Sequence, residues 1–157
     1  NFKGVFLFMC EIKESQIKQL NSVWHSIFVK NLFSNIESNY PNLKSLDNRE
    51  IGVIARTGHH KNTVIKDVTR ESNLPKSSIT NVINKLEAKG LILREINPED
   101  KRSFKLVLTS DGEKVLKEHD DFEYELCSTV LAALDSSDER DLFLSLCSKI
   151  SDNLLNF

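Results

Sequence analysis

The residues with the most usable chemistry lie between Pro75 and Lys105. From Pro75 through Leu86 there is no Asp or Glu, and the polar positions are Lys76, Ser77, Ser78, Thr80, Asn81, Asn84 and Lys85. Ile79, Val82, Ile83 and Leu86 recur at three- and four-residue steps, so one face of a helix is buried and the other carries those polar groups. A helix that enters the DNA major groove needs such a face: no anions against phosphates, and amides and hydroxyls that bond base edges. Asn can pair twice with adenine, and Ser and Thr can bond bases or phosphates. The positive end of the helix dipole would also face phosphate. An ordinary solvent-facing helix carries Glu–Lys pairs instead.

A second group follows. Asn97-Pro-Glu-Asp100 is a turn signal between two apolar runs, Leu91–Ile96 and Phe104–Leu108, which predicts a β-hairpin. Lys101 and Arg102 sit at its tip. An arginine there can enter the minor groove, where negative potential is focused. Asp100, two residues away, is expected to hold the Arg102 guanidinium. Arg94 and Lys105, on the two strands, complete the candidate DNA contacts.

Other chemistries find little support. No GxSxG, phosphate loop, HExxH or Cys–His pairing occurs, so no catalytic residue is assigned and an enzyme is not expected. His25, His59, His60 and His119 are scattered without an HxxxH pair, so no metal is expected, nor any other cofactor. Cys10, Cys127 and Cys147 form no CxxC motif, and Cys127 and Cys147 fall in apolar helical runs where small thiols are commonly buried. This usage suits a reducing cytoplasmic setting. The apolar start, Asn1 to Met9, is too short for a membrane span, and no other segment could cross a bilayer.

The elements that must position these groups can be read from periodicity and caps. The 157 residues contain five Gly and three Pro, few enough to suit a mainly helical domain. The net charge of −2 hides an uneven distribution. Residues 56–105 hold 11 Lys and Arg against 6 Asp and Glu, whereas residues 106–157 hold 4 against 12. A local phosphate-binding face leaves such an asymmetry.

The periodicity predicts a long helix from Glu11 to about Ser38, richer in large apolar groups than one small core needs. Asp47 and Glu50 have capping-box spacing for a helix running to about Thr57 and stopped by Gly58. Thr63–Val64 reads as a short strand and Ile65–Ser72 as a short helix. Asn73–Leu74 is a tight turn, and Pro75 suits the first turn of the polar-faced helix, which Gly90 closes. After the hairpin, Thr109 caps a helix to about Leu134. Ser136 and Glu139 have capping-box spacing for the last helix, which carries Leu142, Phe143, Leu146, Ile150 and Leu154.

The stretch from Leu74 to Arg94 resembles the recognition helix and first wing strand of the MarR family of transcription regulators. Pro98–Ser103 resembles the wing of that family. Phe104–Gly112 resembles the return strand and the LT-x-x-G start of its long fifth helix. Val68-Thr69 departs from the common Leu-Ala, a packing variation. The resemblance implies a mainly α fold with a small β-hairpin wing (α+β): one MarR-like domain over 1–157, with a winged helix-turn-helix lobe at 46–109 and dimerisation helices at 10–38 and 110–157. It further implies a homodimer on a pseudo-palindromic double-stranded DNA operator, with the acidic C-terminal third facing away from DNA.

The resemblance also implies a switch, by default a small molecule. Trp24, His25, Phe28 and Phe122 are candidate lining residues, with Phe33 and Tyr124 as further aromatics; aromatics at helical spacing also serve as core. Lys117–Phe122 through Leu126 resembles the fatty-acid-synthesis regulators of the family, which would imply a lipid-type effector. Two alternatives stand beside this reading. One is a winged-helix module that binds protein without DNA. The other is a redox-sensing member, although the position of the family's sensor cysteine corresponds to Val23 and Trp24.

Overall fold

In the computed structural model Asp47 opens a helix as its spacing to Glu50 predicts. The Asp47 carboxylate accepts the backbone N–H groups of Arg49 and Glu50 at 2.9 and 3.0 Å, and Glu50 reciprocates to the Asp47 N–H at 2.9 Å. Those backbone donors hold the Asp47 carboxyl below its ordinary value of 3.8. A depressed folded value means that the cap stabilises above that pH and loses its contribution as pH falls through the lowered one. The structure describes residues 12–29, 36, 38–72 and 75–155, with the main chain alone at 27–29 and 155. Their elements are α1 (Glu14–Val29), α2 (Asn48–His59), α3 (Ile65–Glu71), α4 (Lys76–Ala88), β1 (Ile92–Ile96), β2 (Phe104–Leu108), α5 (Ser110–Ala132) and α6 (Ser137–Leu155). This is a mainly helical fold with one antiparallel hairpin, as expected.

The chain divides into two compact units, Asn1–Ile36 and Glu37–Phe157. The first unit contains α1, whose side chains are exposed from Ile12 through Ser26. Residues 30–35 and 37 of the expected first helix, like Cys10 and Phe33, lie outside the described residues, as does the Asn73–Leu74 turn.

In the second unit, Leu43, Val53, Ile54, Val68, Ile79, Val82, Ile83, Leu86, Ile92, Leu106 and Val115 form one buried cluster. Most are the periodic apolar positions of α2, α4 and the hairpin, joined by Leu43 ahead of α2, Val68 of α3 and Val115 of α5, so these elements share one core. Gly58 does not stop α2, which continues to His59. It is needed for another reason: a Cβ at 58 would collide with Leu116 on α5. The chain then turns through Asn62, whose φ is +59°. Thr63 and Val64 make a single bridge to β2 rather than a strand, with Leu106 N–H donating to the Thr63 carbonyl at 2.8 Å.

Pro75 stands one residue ahead of its expected place. Its ψ of 142° is extended, so it is the N-cap, and its carbonyl accepts from Ser78 and Ile79. At the other end of α4 the chain reverses through Gly90, φ +71°, which favours a residue without Cβ. Gly90 N–H donates to the Glu87 carbonyl and Leu91 N–H to that of Leu86, both at 2.9 Å, which is a Schellman motif.

β1 and β2 pair from Ile92↔Leu108 to Ile96↔Phe104. Thr109 then caps α5 by accepting from Gly112 N–H at 3.1 Å while its hydroxyl donates to the Gly90 carbonyl at 2.6 Å. The close approach of the Leu91 carbonyl leaves no room for a Cβ at Gly112. The LT-x-x-G motif is therefore a joint between the end of α4 and the start of α5.

Arg140 on α6 donates to the carbonyls of Leu131 and Leu134 at 3.1 and 3.0 Å, closing the end of α5. The expected box at Ser136 forms with a shift: Ser136 Oγ accepts from Glu139 N–H, but the Glu139 carboxylate returns to Asp135 N–H. Beyond Arg140, α6 is exposed from Asp141 to Leu154, including Leu142, Phe143, Leu146, Ile150 and Leu154. Cys127 and Cys147 are accordingly exposed, not buried as expected. The apolar stripe of α6 meets no cover among the described residues.

Candidate nucleic-acid interface

α4 buries Ile79, Val82, Ile83 and Leu86 and leaves Lys76, Ser77, Asn81, Asn84 and Lys85 exposed, with Ser78 and Thr80 half-buried. Ser77, Asn81 and Asn84 follow one another at steps of four and three, so they share a stripe. Thr80 Oγ1 donates to the Lys76 carbonyl at 2.9 Å, which leaves its oxygen as an acceptor. The first turn of α4 has no acidic residue and no side-chain cap, so its positive dipole end is uncompensated.

The far end of α4 is anchored. Lys89 Nζ donates to both Glu50 oxygens, at 2.8 and 3.0 Å, and to the Ser45 carbonyl at 3.0 Å. The Glu50 side chain is 4% exposed, so this pair is a fixed pivot between α2 and α4.

The wing loop, residues 97–103, is closed by its own hydrogen bonds. Buried Asn97 donates from its N–H to the Ser103 carbonyl and from Nδ2 to Ser103 Oγ, and accepts from Glu99 N–H, at 3.0–3.1 Å. Ser103 N–H and Oγ both donate to the Asp100 carbonyl at 2.9 Å. The Asp100 carboxylate was expected to hold the Arg102 guanidinium; it accepts the Arg102 backbone N–H at 3.0 Å instead. An Asp side chain two residues ahead of an N–H closes a local turn. Asp100 thus shapes the loop and leaves the exposed Arg102 side chain without an ion pair among the described residues.

Lys76 and Arg102 meet at one cleft, of about 660 Å3, between α3, the start of α4 and the root of the wing. Lys66 and Arg70 of α3 line it as well, together with Thr69 and Phe104. Neither Lys66 nor Arg70 was picked out in the sequence. Their i, i+4 spacing within the basic stretch was the available signal, but α3 read only as a packing helix. Arg70 is paired with Asp67 at 3.0 Å. Lys66, Lys76, Lys85, Lys101 and Arg102 are exposed and have no ion pair among the described residues.

Two candidates already have partners. Arg94 donates to Glu87 and Asn84 of α4, and Lys105 pairs with Glu95 across the hairpin at 2.9 Å. The candidate effector residues behave differently from these. Trp24 and His25 are exposed on α1, and the Phe28 side chain lies outside the described residues. Phe122 packs against the core and meets Tyr40 edge-on at a centroid distance of 5.9 Å. The Tyr40 hydroxyl donates to Glu125 at 2.8 Å, and that carboxylate pushes its pKa up to about 12, so it stays a donor across the working range. His59 Nε2 lies 2.9 Å from Asp120 Oδ1, and no group of metal-ligating side chains occurs among the described residues. No described helix is long and apolar enough to cross a membrane.

Residues 47–104, from the cap of α2 to the start of β2, match the MarR family model. The HTH-type transcriptional regulator BilQ of Clostridioides difficile (strain CD3) is 39% identical over 57 residues, 36% of this chain and 38% of that protein. The uncharacterized HTH-type transcriptional regulator YdgJ of Bacillus subtilis (strain 168) is 29% identical over 94 residues, 57% of this chain and 54% of that protein. The chain thus spans about half the length, or less, of these curated relatives. Among solved structures, Streptococcus pneumoniae FabT in complex with DNA superposes with a TM-score of 0.74 at 21% identity, covering 89% of this chain and 98% of that one.

Proposed function

We propose, from the match of residues 47–104 to the MarR family model, that this chain is a sequence-specific DNA-binding transcription regulator of that family, acting as a repressor. α4 enters the major groove, and the Arg102 wing enters the adjacent minor groove. One observation carries this reading: the free cations Lys66, Lys76 and Arg102 line one cleft beneath the wing, at the end of α4 from which its carboxylate-free stripe runs, with Lys101 next to Arg102 in the wing loop. Phosphate contacts supply most of the affinity of such a face, and the amides and hydroxyls supply specificity. A regulator names a solvent-accessible DNA partner, so the protein would work in the cytoplasm.

The chain acts as a homodimer in this reading. α6 is 19 residues long, and an isolated helix of that length is marginal in water. Its stripe of Leu142, Leu146, Ile150 and Leu154, and the exposed Ile17 and Leu20 of α1, call for a partner surface. A two-fold dimer presents two recognition helices to a pseudo-palindromic operator. The effector, a small molecule or lipid-type ligand, rests on the family resemblance.

Salt titration separates this reading from a protein-binding module. Each protomer has four such unpaired cations, and if half of a dimer's set meets phosphate, log K falls against log salt with a slope of about −3.6. Binding to duplex DNA with a slope near zero, or no binding at 50 mM salt, overturns the proposal. Asn97→Ala provides a second check. It removes the side-chain bonds that close the wing, and DNA affinity is expected to fall by about 5- to 30-fold, the equivalent of one or two hydrogen bonds. Equal affinity for the two proteins in an anisotropy titration would mean that the wing needs no such closure to bind.

A further inference from the structure

Arg94 lies mid-strand on β1, two residues from buried Ile92 and hence on the same face of the hairpin. Its side chain is 25% exposed. Nη1 donates to Glu87 Oε2 at 2.7 Å, and Nη2 meets the Asn84 side-chain amide at 2.6 Å. Asn84 and Glu87 are three residues apart on α4, so one guanidinium spans one edge of that helix.

A guanidinium has donors only. The Asn84 atom it meets must therefore be the carbonyl oxygen, and a flipped amide would set its NH2 against the donors of a cation. The bond is charge-assisted, roughly twice as strong as a neutral one. Glu87 fixes the guanidinium from a second side, so the plane that the amide meets is preset. Nη2 takes one of the two lone pairs of that oxygen and fixes the amide, so what Asn84 chiefly offers an outside partner is Nδ2, with its two donors. Asn81 differs: it is exposed and its side chain has no hydrogen bond among the described residues, so it can offer donor and acceptor together, as bidentate adenine pairing requires.

We infer that Arg94 is a positioning residue that holds the Asn84 oxygen and presents its NH2 as the contact, so that Asn84 reads a base presenting acceptors, guanine O6 and N7 or thymine O4, in preference to adenine. The inference rests on the DNA-binding reading above and assigns different base preferences to the two asparagines of one stripe. Adenine presents its N6-H2 donor beside N7, so a group offering donors alone meets a like group there, whereas guanine O6 and N7 and thymine O4 present acceptors. At residue 84 the oxygen is already engaged.

The test is operator selection from random duplexes with the full chain, as wild type, Asn84→Ala, Arg94→Met, Arg94→Lys and Glu87→Gln. The wild type is expected to show one position per half-site that loses its preference in Asn84→Ala and favours guanine or thymine. In Arg94→Met that position gains adenine by at least five-fold relative to guanine, while the other positions and the salt slope stay unchanged. Arg94→Lys, which keeps a donor-only cation, moves back toward the wild-type preference. Glu87→Gln loosens the guanidinium without removing it and shifts the same position in the same direction, so the result does not depend on one variant folding well.

Three outcomes overturn the inference. The Arg94→Met preference matches the wild type; Asn84→Ala changes no position; or Arg94→Met weakens all sequences equally with a shallower salt slope, which makes Arg94 a phosphate contact. Failure of the wild type to select any sequence sinks the DNA-binding reading along with it, whereas each of the three outcomes above leaves that reading standing.

Discussion

Arg102→Glu is expected to weaken operator binding by about 30- to 10⁴-fold at physiological salt, with the self-association and helix content of the protein unchanged. A base-edge contact of this kind contributes roughly 1–3 kcal/mol, a dimer has two wings, and each 1.4 kcal/mol is about tenfold. The salt slope should become shallower by about 2, one counterion contact per wing. The wing should keep its shape, because Asp100 bonds the backbone N–H of residue 102 and not its side chain. The loss can therefore be read as lost contact, not as a lost loop. Anisotropy titrations at several salt concentrations, beside sedimentation and circular dichroism, make the measurement. Unchanged affinity removes Arg102 from the interface.

Lys89→Met is expected to be the most destabilising single change at this site, by about 3 kcal/mol, near the lower end for breaking a buried ion pair. Glu50 is 4% exposed and would lose a cation that meets both of its oxygens. It keeps the Asp47 N–H, and the Lys89 side chain is 38% exposed, so water can replace part of the loss. Glu50→Gln/Lys89→Met should recover most of the stability, since the neutral amide still reaches the Asp47 N–H and needs no cation. Urea unfolding of the wild type, the single and the double variants decides this. A double variant no more stable than Lys89→Met would show that the pair matters through packing of the lysine stem. Because the pair ties the end of α4 to the start of α2, the single variant should also bind DNA less tightly than its folded fraction explains.

Much of this fold was legible because its signals are local. Capping at Asp47, the glycine turn at Gly90, the Thr109 cap and the apolar stripe of α4 each depend on residues within about four positions. Short-range backbone geometry selects them whatever the rest of the chain does. The same locality made the polar stripe Ser77, Asn81 and Asn84 readable as one face.

Where the readings fell short, distance along the chain was the cause. Gly58 looked like a helix stop because nothing near it shows that Leu116 packs onto it from α5. Cys127 and Cys147 looked buried because an apolar stripe does not say which chain covers it. Asp100 was assigned the nearest cation, but the turn brought a backbone N–H closer. Lys66 and Arg70 joined the face only when α3, α4 and the wing root closed round one cleft.

The winged helix-turn-helix was thus determined by sequence alone, through periodicity, caps and turn residues that act over one or two helical turns. Which cations are free, and which way each asparagine amide points, was decided by tertiary structure. A side chain's hydrogen-bond partner is whatever the fold brings within about 3 Å. Arg94 meets Asn84 because a strand folds back on the helix before it.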